Sequence, residues 1–465
     1  MPQFYVENFG CRATQADGAA IERQFEQQGL NRAGSTASAD WVVLNTCAVT
    51  AAAEQDARAA IRRIRRHNPG CKIVITGCYA QRAPHEIAAL DGVWRVIGNS
   101  HKSNLAEITL REQSRNDISD SFAFVPVENL ADSSRRATCD PDPVEIYVSD
   151  IFAHTELLAA PVFDSANERT RPNLKVQDGC NNRCSFCIIP SVRGRSRSMP
   201  LDEVVLSVNR LVEDGYKEVV ISGINLGRWG RDLVWGGRPR PPQFDDLIQA
   251  ILDQTPLAKL RISSVEPMDW GDSLIQLMAE SSRIAKHAHV PMQSGSDAVL
   301  RRMHRKYRPW HYREKIEKIR VAMPTAAIGA DVMVGFPGES EAEFEETRRM
   351  IEDLPFTYLH VFTFSARPGT PAASMPNRVP VQVARERNRG LRELASNKKL
   401  AFMQAFIGRE VEAITLSVTG DNSDGAWTGA LTDNYLKLKL RGHHSANQWL
   451  RAPVYAVEDG HLTAA

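Results

Sequence analysis

The sequence predicts an α/β protein built from an N-terminal parallel-sheet α/β domain, a partial (β/α)6 barrel of the TIM type, and a small antiparallel β-barrel at the C-terminal end. Short apolar runs alternate with helical patterns over residues 1–100, and the same alternation resumes at residue 173 and continues for about 200 residues. Beyond residue 407 the pattern changes to short strands of alternating polarity, which is typical of a small β-barrel.

The chain has 465 residues, more than one hydrophobic core usually organises, so two or three domains are expected. Its contents of 43% hydrophobic and 24% charged residues are typical of globular proteins. We predict domains over residues 1–112, 171–402 and 403–465. A polar linker, with a hairpin near 145–152, is predicted over residues 113–170.

The chain begins MPQFYVENFG, which has neither the basic nor the apolar region of a secretory signal, and no stretch is apolar enough to span a membrane. We therefore expect a cytoplasmic protein with no membrane partner. The net charge of +1 gives no compositional argument for a nucleic-acid partner. Eight cysteines in such a chain indicate metal binding rather than disulfides.

Three separated cysteines follow predicted strands of the first domain. Cys11, Cys47 and Cys78 stand in the segments NFGC, LNTC and ITGC. Because the carboxyl ends of parallel strands lie at one edge of a sheet, we expect the three thiols to converge. The alternative is three unrelated buried cysteines, which are common in protein cores.

A second group, Cys180, Cys184 and Cys187, directly follows the first strand of the predicted barrel in the segment DGCNNRCSFCIIP. Three thiolates at this spacing can hold three irons of a [4Fe–4S] cluster and leave the fourth open to the amine and carboxylate of S-adenosylmethionine. The alternatives are a zinc knuckle or three core cysteines, but no fourth ligand for zinc follows within several residues. Cys71 and Cys139 fit neither group and are predicted not to be ligands.

These features resemble the radical S-adenosylmethionine superfamily. The segment from Ser222 to Asn225 resembles its methionine-binding loop, and the segment DVMVGFPGE at residues 331–339 resembles its adenine-binding turn. The resemblance implies cofactor-binding roles for a set of residues in the barrel: Gly223, Ser264, Glu266, Gln293 and Gly335.

The two cysteine groups in this order resemble the methylthiotransferase family, whose members end in a TRAM domain. The resemblance rests on NTCAVT (45–50), TGCYAQ (76–81), KVQDGCNNRCSFCIIP (175–190), RISSVEP (261–267), PMQSGSD (291–297), VGFPGE (334–339) and FSARPGTPAA (364–373). It implies S-adenosylmethionine and two [4Fe–4S] clusters. Cys180, Cys184 and Cys187 would hold the radical-generating cluster, and Cys11, Cys47 and Cys78 an auxiliary cluster that supplies sulfur.

Within that family, the segments around Cys47 and Cys78 look most like the branch that adds a methylthio group to C2 of N6-threonylcarbamoyladenosine beside the tRNA anticodon. The segment Arg12-Ala13-Thr14 departs from the Lys-Val-Asn usual in this branch. The alternative substrates are isopentenyl-adenosine in tRNA and an aspartate of a ribosomal protein. An alternative of another class is a non-catalytic iron–sulfur sensor that binds RNA.

Two sets of residues are predicted to contact tRNA. Arg193, Arg195 and Arg197 follow the second cysteine group at the predicted mouth of the barrel. Alternation along a strand at 435–440 would place the second set, Tyr435, Lys437 and Lys439, on one face, where stacking and phosphate contacts are possible. The remaining expected partner is an electron donor such as a flavodoxin or ferredoxin system, and the protein is expected to be a monomer.

Overall fold

The computed structural model describes residues 2–111, 143–158, 171–234, 240–422 and 425–465. It confirms the predicted α/β class, with parallel sheets followed by a small β-barrel. Most of the predicted linker at 113–170, with Cys139, lies outside the described residues. The predicted domain limits stay predictions.

The first sheet contains strands in the order β2-β1-β3-β4-β5-β6, and all neighbouring strands are parallel. Its strands are β1 (Gln3–Asn8), β2 (Asn31–Arg32), β3 (Trp41–Thr46), β4 (Lys72–Gly77), β5 (Val93–Gly98) and β6 (Glu145–Tyr147). The helices of this part are α1 (Arg12–Gln27), α2 (Ala51–His67), α3 (Cys78–Arg82), α4 (Pro84–Ala88) and α5 (Leu105–Leu110).

The hairpin predicted near 145–152 is wrong, because β6 is a single strand that joins the edge of this sheet parallel to β5. Arg95 on β5 is 1% exposed, and its guanidinium donates to the Glu145 carboxylate over 2.5 Å. A buried arginine needs such a partner, so this ion pair holds β6 at the sheet edge.

The second part is a partial barrel whose parallel strands follow one another in the order β7, β9, β10, β11, β12 and β13. Single bridges from Leu260 to Ile284 and from Ser264 to His289 connect its two halves. The strands are β7 (Asn173–Asp178), β8 (Arg197–Ser198, antiparallel to β7), β9 (Glu218–Gly223), β10 (Lys259–Ile262), β11 (His287–His289), β12 (Ala327–Val334) and β13 (Tyr358–Thr363).

Helices alternate with these strands and cover the outside of the barrel. They are α6 (Ile189–Arg193), α7 (Leu201–Glu213), α8 (Phe244–Gln254), α9 (Asp272–Glu280), α10 (Asp297–Arg302), α11 (Pro309–Ala322), α12 (Glu341–Asp353) and α13 (Val381–Gln404). Helix α12 begins with a capping box, because Ser340 and Glu343 satisfy each other's backbone amides.

The two faces of the barrel strands differ in polarity. The outward residues of each strand, such as Leu174, Val176 and Ile328, form the main apolar core with the helices. Strand alternation turns the intervening residues toward the lumen. These are largely polar: Lys175, Gln177, Glu218, Ser222, Arg261, His287, His289, Asp331, Tyr358 and His360. The barrel therefore has a polar interior that can accommodate a polar ligand.

Gly329 makes room for an aromatic ring in this lumen. A Cβ on Gly329 would lie 2.0 Å from the ring of Tyr358 on the neighbouring strand. The Tyr358 hydroxyl is 2.6 Å from Nε2 of His287 and 3.0 Å from Nδ1 of His289. The absence of a side chain at Gly329 thus allows these three rings to form one cluster.

The C-terminal part is a closed barrel in the order β14-β15-β16-β18-β17. Its strands are β14 (Glu410–Asn422), β15 (Gly425–Thr432), β16 (Lys437–Arg441), β17 (Trp449–Glu458) and β18 (His461–Ala464). The predicted antiparallel pairing is found except between β16 and β18, which are parallel. An odd number of strands in a closed ring requires one such parallel pair.

Arg261 fixes this small barrel to the large one. The guanidinium is buried, donates to Glu218 over 2.6 Å, and also donates to the carbonyl oxygens of Thr432 and Asp433 in the small barrel.

In the part of the chain that the structure describes, no helix is long and apolar enough to cross a membrane.

Candidate active site

The first cysteine group assembles at the carboxyl edge of the first sheet. Cys11 immediately precedes α1, Cys47 follows β3, and Cys78 is the first residue of α3 after β4. Gly10 has φ +108°, and a Cβ on it would lie 2.8 Å from Cβ and 3.0 Å from Sγ of Cys47. Only glycine therefore allows the segment before Cys11 to approach Cys47 this closely.

Hydrogen-bond donors lie beside two of these thiols, and a cluster held by the three stays a prediction. Burial, together with the neighbouring Cys78 and Cys11 thiols, raises the pKa of Cys47 to about 11. The Val49 amide donates to Sγ of Cys47 over 3.5 Å, and the Asn99 side-chain amide donates to Sγ of Cys78 over 3.6 Å. Donors aimed at sulfur favour the thiolate form that a metal requires.

The second group lies beyond the end of β7, also with donors directed at its sulfurs. Sγ of Cys180 accepts from the Asn182 amide over 3.4 Å and from the Asn225 side chain over 3.5 Å. Arg305 donates to Sγ of Cys184 over 3.3 Å. Burial raises the pKa of Cys187 to about 12, so a bound cation is needed to make this group a thiolate at neutral pH.

This donor set fits the [4Fe–4S] cluster expected for the second group. Three thiols come from one short segment, and the amide and guanidinium donors stabilise negative charge on sulfur. Arg305 also forms an ion pair with Glu266, whose carboxylate is thereby fixed near Cys184. The Asn225 Oδ1 and Ser222 Oγ atoms are buried and accept no hydrogen bond from the described residues, which leaves polar atoms free for a ligand.

The predicted cofactor-binding residues lie in different surroundings. A Cβ on Gly223 would lie 2.9 Å from Oε1 of Gln177, so this loop passes close to β7. Gln293 has φ +63°, and its buried Oε1 has no partner among the described residues, which is typical of strain kept at a functional site. Ser264 pairs with His289 beside the lumen. Gly335 instead faces Ala384 on α13, 2.7 Å from the position of a Cβ.

Between the two cysteine groups lies a buried network of charged side chains, which we call the ionic bridge: Asp17, Lys102, Lys175, Asp178 and Arg193. Asp17 comes from α1 and contacts all three cations, while Asp178 ends β7. The Arg193 guanidinium lies 3.0 Å from each of the two carboxylates. The bridge therefore joins the first sheet to the barrel.

The cations of the ionic bridge dominate its electrostatics. Burial alone would raise the pKa of Asp17, but Arg193, Lys102 and Lys175 outweigh burial and lower it to about 2. The same kind of interaction keeps the pKa of Asp178 well below its usual value. Both residues are therefore carboxylates at neutral pH.

Two of the arginines predicted to bind RNA are buried in this region. Arg193 is 3% exposed and belongs to the ionic bridge, and Arg197 is 8% exposed and donates to the carbonyl oxygens of Arg193 and Arg195. Carboxylates contact the Arg193 guanidinium, and the buried Nε of Arg197 has no partner among the described residues, so phosphate contacts of Arg193 and Arg197 stay predictions. Arg195 is exposed, and its predicted role stays a prediction.

Tyr435 is not on the strand face predicted for it. It precedes β16 in a turn with φ +70°, and its ring lies 4.8 Å from the ring of His287 in the large barrel. This ring packs between the two barrels, and the predicted role of Tyr435 in base stacking stays a prediction. Lys437 is exposed and Lys439 is half-buried beside Trp427, so these two remain on the surface of the small barrel.

Histidines, a carboxylate and a tyrosine meet in the barrel lumen, close to the first domain. Asp331 Oδ1 lies 3.2 Å from Nε2 of His289, and the rings of His289 and His360 are 5.6 Å apart. Burial lowers the pKa of His287 and of His360, and neighbouring cationic and histidine groups lower both further. These two imidazoles are therefore neutral at physiological pH and can both donate and accept hydrogen bonds.

A basic cleft of about 670 Å³ lies between the outer end of α13 and the small barrel. Its cationic residues are Arg171, Arg392, Lys399, Lys437 and Lys439, and His461 also lines it. Burial lowers the pKa of His461, and Lys439, Lys437 and Lys399 lower it further, which reflects how closely the cations are grouped. Arg385 and Arg389 extend the row along α13, at helical spacing from Arg392.

Sequence reasoning missed the residues that support the sulfurs. Asn225 stands in a segment that was recognised, and Arg305 in a basic run, but neither position indicates a contact with sulfur. Asn99, Asp17 and Lys102 lie in no recognised motif, and the motif that contains Lys175 and Asp178 does not indicate their contact with Asp17 or Arg193. The sequence offered only an indirect sign of the ionic bridge. Lys175 stands between the apolar Leu174 and Val176 of a strand, and Asp178 is the last residue of that strand.

Comparison with known proteins agrees with this arrangement. The family model of the radical SAM superfamily matches residues 174–351, and that of the uncharacterized protein family UPF0004 matches residues 3–98. A solved structure of the radical S-adenosylmethionine methyltransferase TsrM from Kitasatospora setae has a TM-score of 0.55 and 14% identity, covering 80% of this chain and 74% of that one. This likeness concerns the fold alone.

Curated relatives match almost the entire chain. The threonylcarbamoyladenosine tRNA methylthiotransferase MtaB of Rickettsia prowazekii is 35% identical over 460 residues, 98% of this chain and 96% of the relative. The Bacillus subtilis protein of the same name is 35% identical and covers 93% and 89%. The tRNA-2-methylthio-N(6)-dimethylallyladenosine synthase of Methylacidiphilum infernorum is 30% identical and covers 98% and 93%.

The match to the Rickettsia prowazekii relative covers 98% of this chain, and the radical SAM match falls on the large barrel that carries the second cysteine group. The chain therefore belongs to the methylthiotransferase family of radical S-adenosylmethionine enzymes.

Proposed function

We propose that this protein transfers a methylthio group to C2 of N6-threonylcarbamoyladenosine beside the anticodon of tRNA. The observation that carries the proposal is the polar lumen beside the ionic bridge, where His287, His289, Asp331, Tyr358 and His360 are grouped. A threonylcarbamoyl group offers a carboxylate, a hydroxyl and N–H donors, so it requires polar partners. An isopentenyl group would require an apolar slot.

Membership of the radical SAM superfamily implies S-adenosylmethionine and a [4Fe–4S] cluster. We assign that cluster to Cys180, Cys184 and Cys187, and a second [4Fe–4S] cluster to Cys11, Cys47 and Cys78. When bound, the first cluster supplies the electron that cleaves S-adenosylmethionine to the radical needed at an aromatic C–H bond. Gly223, Ser264, Glu266 and Gln293 would bind S-adenosylmethionine; the role of Gly335 stays a prediction.

The residues of this chain hold and orient the reactants. Arg305 and Asn225 stabilise negative charge on the sulfurs of Cys184 and Cys180, and Asn99 does so for Cys78. The ionic bridge sets the separation between the two sulfur sites. The target base must enter the lumen from a single-stranded loop, since C2 of a paired adenine is not accessible.

We propose that tRNA binds along the basic cleft. The row of Arg385, Arg389, Arg392 and Lys399 on α13 leads to Lys437 and Lys439 on β16, and these spaced cations suit a nucleic-acid backbone. Arg195 would add a contact nearer the cysteines.

The remaining assignments follow from the chemistry. Radical formation consumes electrons, so we propose a flavodoxin or ferredoxin system as the donor. We also propose that the protein is a monomer and that it is located in the cytoplasm. We propose that residues 1–112 bind the auxiliary cluster and that residues 171–402 carry out the radical chemistry. Residues 403–465 would form a TRAM domain that contacts RNA.

The substrate is tested with reconstituted, reduced enzyme and two tRNAs, one with threonylcarbamoyl-adenosine and one with isopentenyl-adenosine. Mass spectrometry of the nucleosides should find the methylthio product from the first tRNA and little from the second, because the lumen favours a polar substituent. Methylthiolation of isopentenyl-adenosine, or of the ribosomal protein, would contradict the proposal. A protein that binds iron and RNA but never cleaves S-adenosylmethionine would support the sensor alternative.

The cysteine assignment predicts separable clusters. Anaerobically reconstituted protein should bind about eight irons, from two four-iron clusters. Cys184→Ala should halve the iron content and abolish cleavage of S-adenosylmethionine, whereas Cys47→Ala should halve the iron content and retain cleavage, because the two groups lie in different parts of the fold. Cys71→Ala is the matched control and should change neither quantity. Equal loss of cleavage in both variants, with intact folding, would contradict the assignment.

The basic cleft predicts a change in the salt dependence of tRNA binding. The double variant Arg389→Gln/Arg392→Gln should weaken binding and make the slope of log K against log salt shallower by roughly 0.7–0.9 for each phosphate that is no longer neutralised. The control Arg62→Gln/Arg66→Gln removes the same charge from exposed positions on α2 and should leave the slope unchanged. Equal effects in the two double variants would show that only net charge matters.

A further inference from the structure

Arg12 occupies a position shared by all three parts of the protein. It is the first residue of α1, directly after Cys11, and its main-chain oxygen accepts from Asn173 at the start of β7 over 3.4 Å. Its side chain reaches the small barrel, where the guanidinium donates to the Tyr435 hydroxyl over 3.3 Å. Arg12 is nevertheless exposed.

The guanidinium of Arg12 faces the polar lumen. Tyr435 packs on His287, whose Nε2 bonds the Tyr358 hydroxyl. The positive charge of Arg12 contributes to the lowered pKa of His287 and of His360, after the larger effects of burial and nearer groups. Arg12 is thus close enough to act on both imidazoles, which are themselves neutral at physiological pH.

Arg12 differs from the other arginines of this region in having no counter-charge. Arg261 is paired with Glu218 over 2.6 Å, and Arg171 lies 3.6 Å from the same carboxylate. Among the residues that the structure describes, no carboxylate lies within 4 Å of the Arg12 guanidinium, whose hydrogen-bond partner is the neutral phenol of Tyr435. An exposed cation with a neutral partner, at the edge of a polar pocket, is suited to an anionic ligand.

We propose that Arg12 binds the carboxylate of the threonylcarbamoyl group and thereby selects this substrate; the inference rests on the proposed function. The guanidinium can hold a carboxylate through two parallel hydrogen bonds. Asp331, which lies 3.2 Å from His289, would repel a carboxylate placed beside it, which favours a position of the anionic end of the substrate at Arg12. Because Arg12 adjoins Cys11, this contact would also align the base with the first cysteine group.

The test compares two anticodon stem-loop RNAs, one with threonylcarbamoyl-adenosine and one in which its carboxylate is converted to a primary amide. Reconstituted wild type, Arg12→Gln and Arg12→Lys are measured for KM, kcat and, without reductant, for the Kd of each RNA. Arg12→Gln should raise KM and Kd for the acid about 10- to 100-fold, the range expected for a charged hydrogen bond, with a smaller change in kcat. The KM and Kd of Arg12→Lys for the acid should lie between those of wild type and those of Arg12→Gln.

The amide RNA supplies the internal control. Wild type should bind it about as weakly as Arg12→Gln binds the acid, and Arg12→Gln should bind the acid and the amide equally. Arg313→Gln, an exposed arginine on α11 paired with Asp353, is the matched control and should leave all values unchanged. Iron content and S-adenosylmethionine cleavage verify that Arg12→Gln retains both clusters.

Failure of the Arg12 proposal can be distinguished from failure of the proposed function. If wild type methylthiolates the acid RNA but binds acid and amide equally, or if Arg12→Gln weakens both RNAs by the same factor, the carboxylate role of Arg12 is overturned while the proposed function stands. If wild type acts on isopentenyl-adenosine and not on the acid RNA, both the proposed function and the role of Arg12 fall. If every Arg12 variant loses its clusters, equal binding of the acid and amide RNAs by wild type would still overturn the proposal.

Discussion

The arrangement of the active site depends on the ionic bridge of Asp17, Lys102, Lys175, Asp178 and Arg193. Charges buried this deeply are tolerated only when each has a partner, and removing one partner of a buried pair costs about 3–5 kcal/mol. Asp17 reaches the network from α1, while Lys175 and Asp178 reach it from β7. The first sheet and the barrel can therefore meet in only one register, and that register fixes where the two cysteine groups lie.

The bridge also has an electrostatic consequence. Its three cations exceed its two carboxylates by one positive charge (3 − 2), and Cys78 and Cys11 act on the same Arg193. An excess cation beside thiolates stabilises the negative charge that metal ligation requires. The α1 helix thus has three roles: it begins beside Cys11, presents Arg12 to the lumen, and carries Asp17 into the bridge. The first cysteine group, the polar lumen and the docking of the first sheet on the barrel are coupled through one helix.

The features that depend on local pattern were predictable from the sequence. Cys11, Cys47 and Cys78 follow parallel strands, and Cys180, Cys184 and Cys187 follow β7, so strand ends alone place them. The features that depend on distant partners were not predictable. Arg193 belongs to a basic run that suggests phosphate binding, but Asp17, 176 residues earlier, neutralises it. Tyr435 fits an alternating strand, yet a turn with positive φ directs its ring toward His287. Such contacts are set by docking between parts of the chain.

The central claim is that the ionic bridge holds the radical site and the sulfur site in productive register, and the number of S-adenosylmethionine molecules cleaved per methylthio product tests it most directly. Asp17→Asn removes one charge and keeps the size of the side chain. The variant should retain the iron of both clusters and the cleavage of S-adenosylmethionine. Product formed per molecule cleaved should fall by about 10²-fold, the cost of a small misplacement of reactants. A folded variant with full iron content and an unchanged ratio would contradict the account.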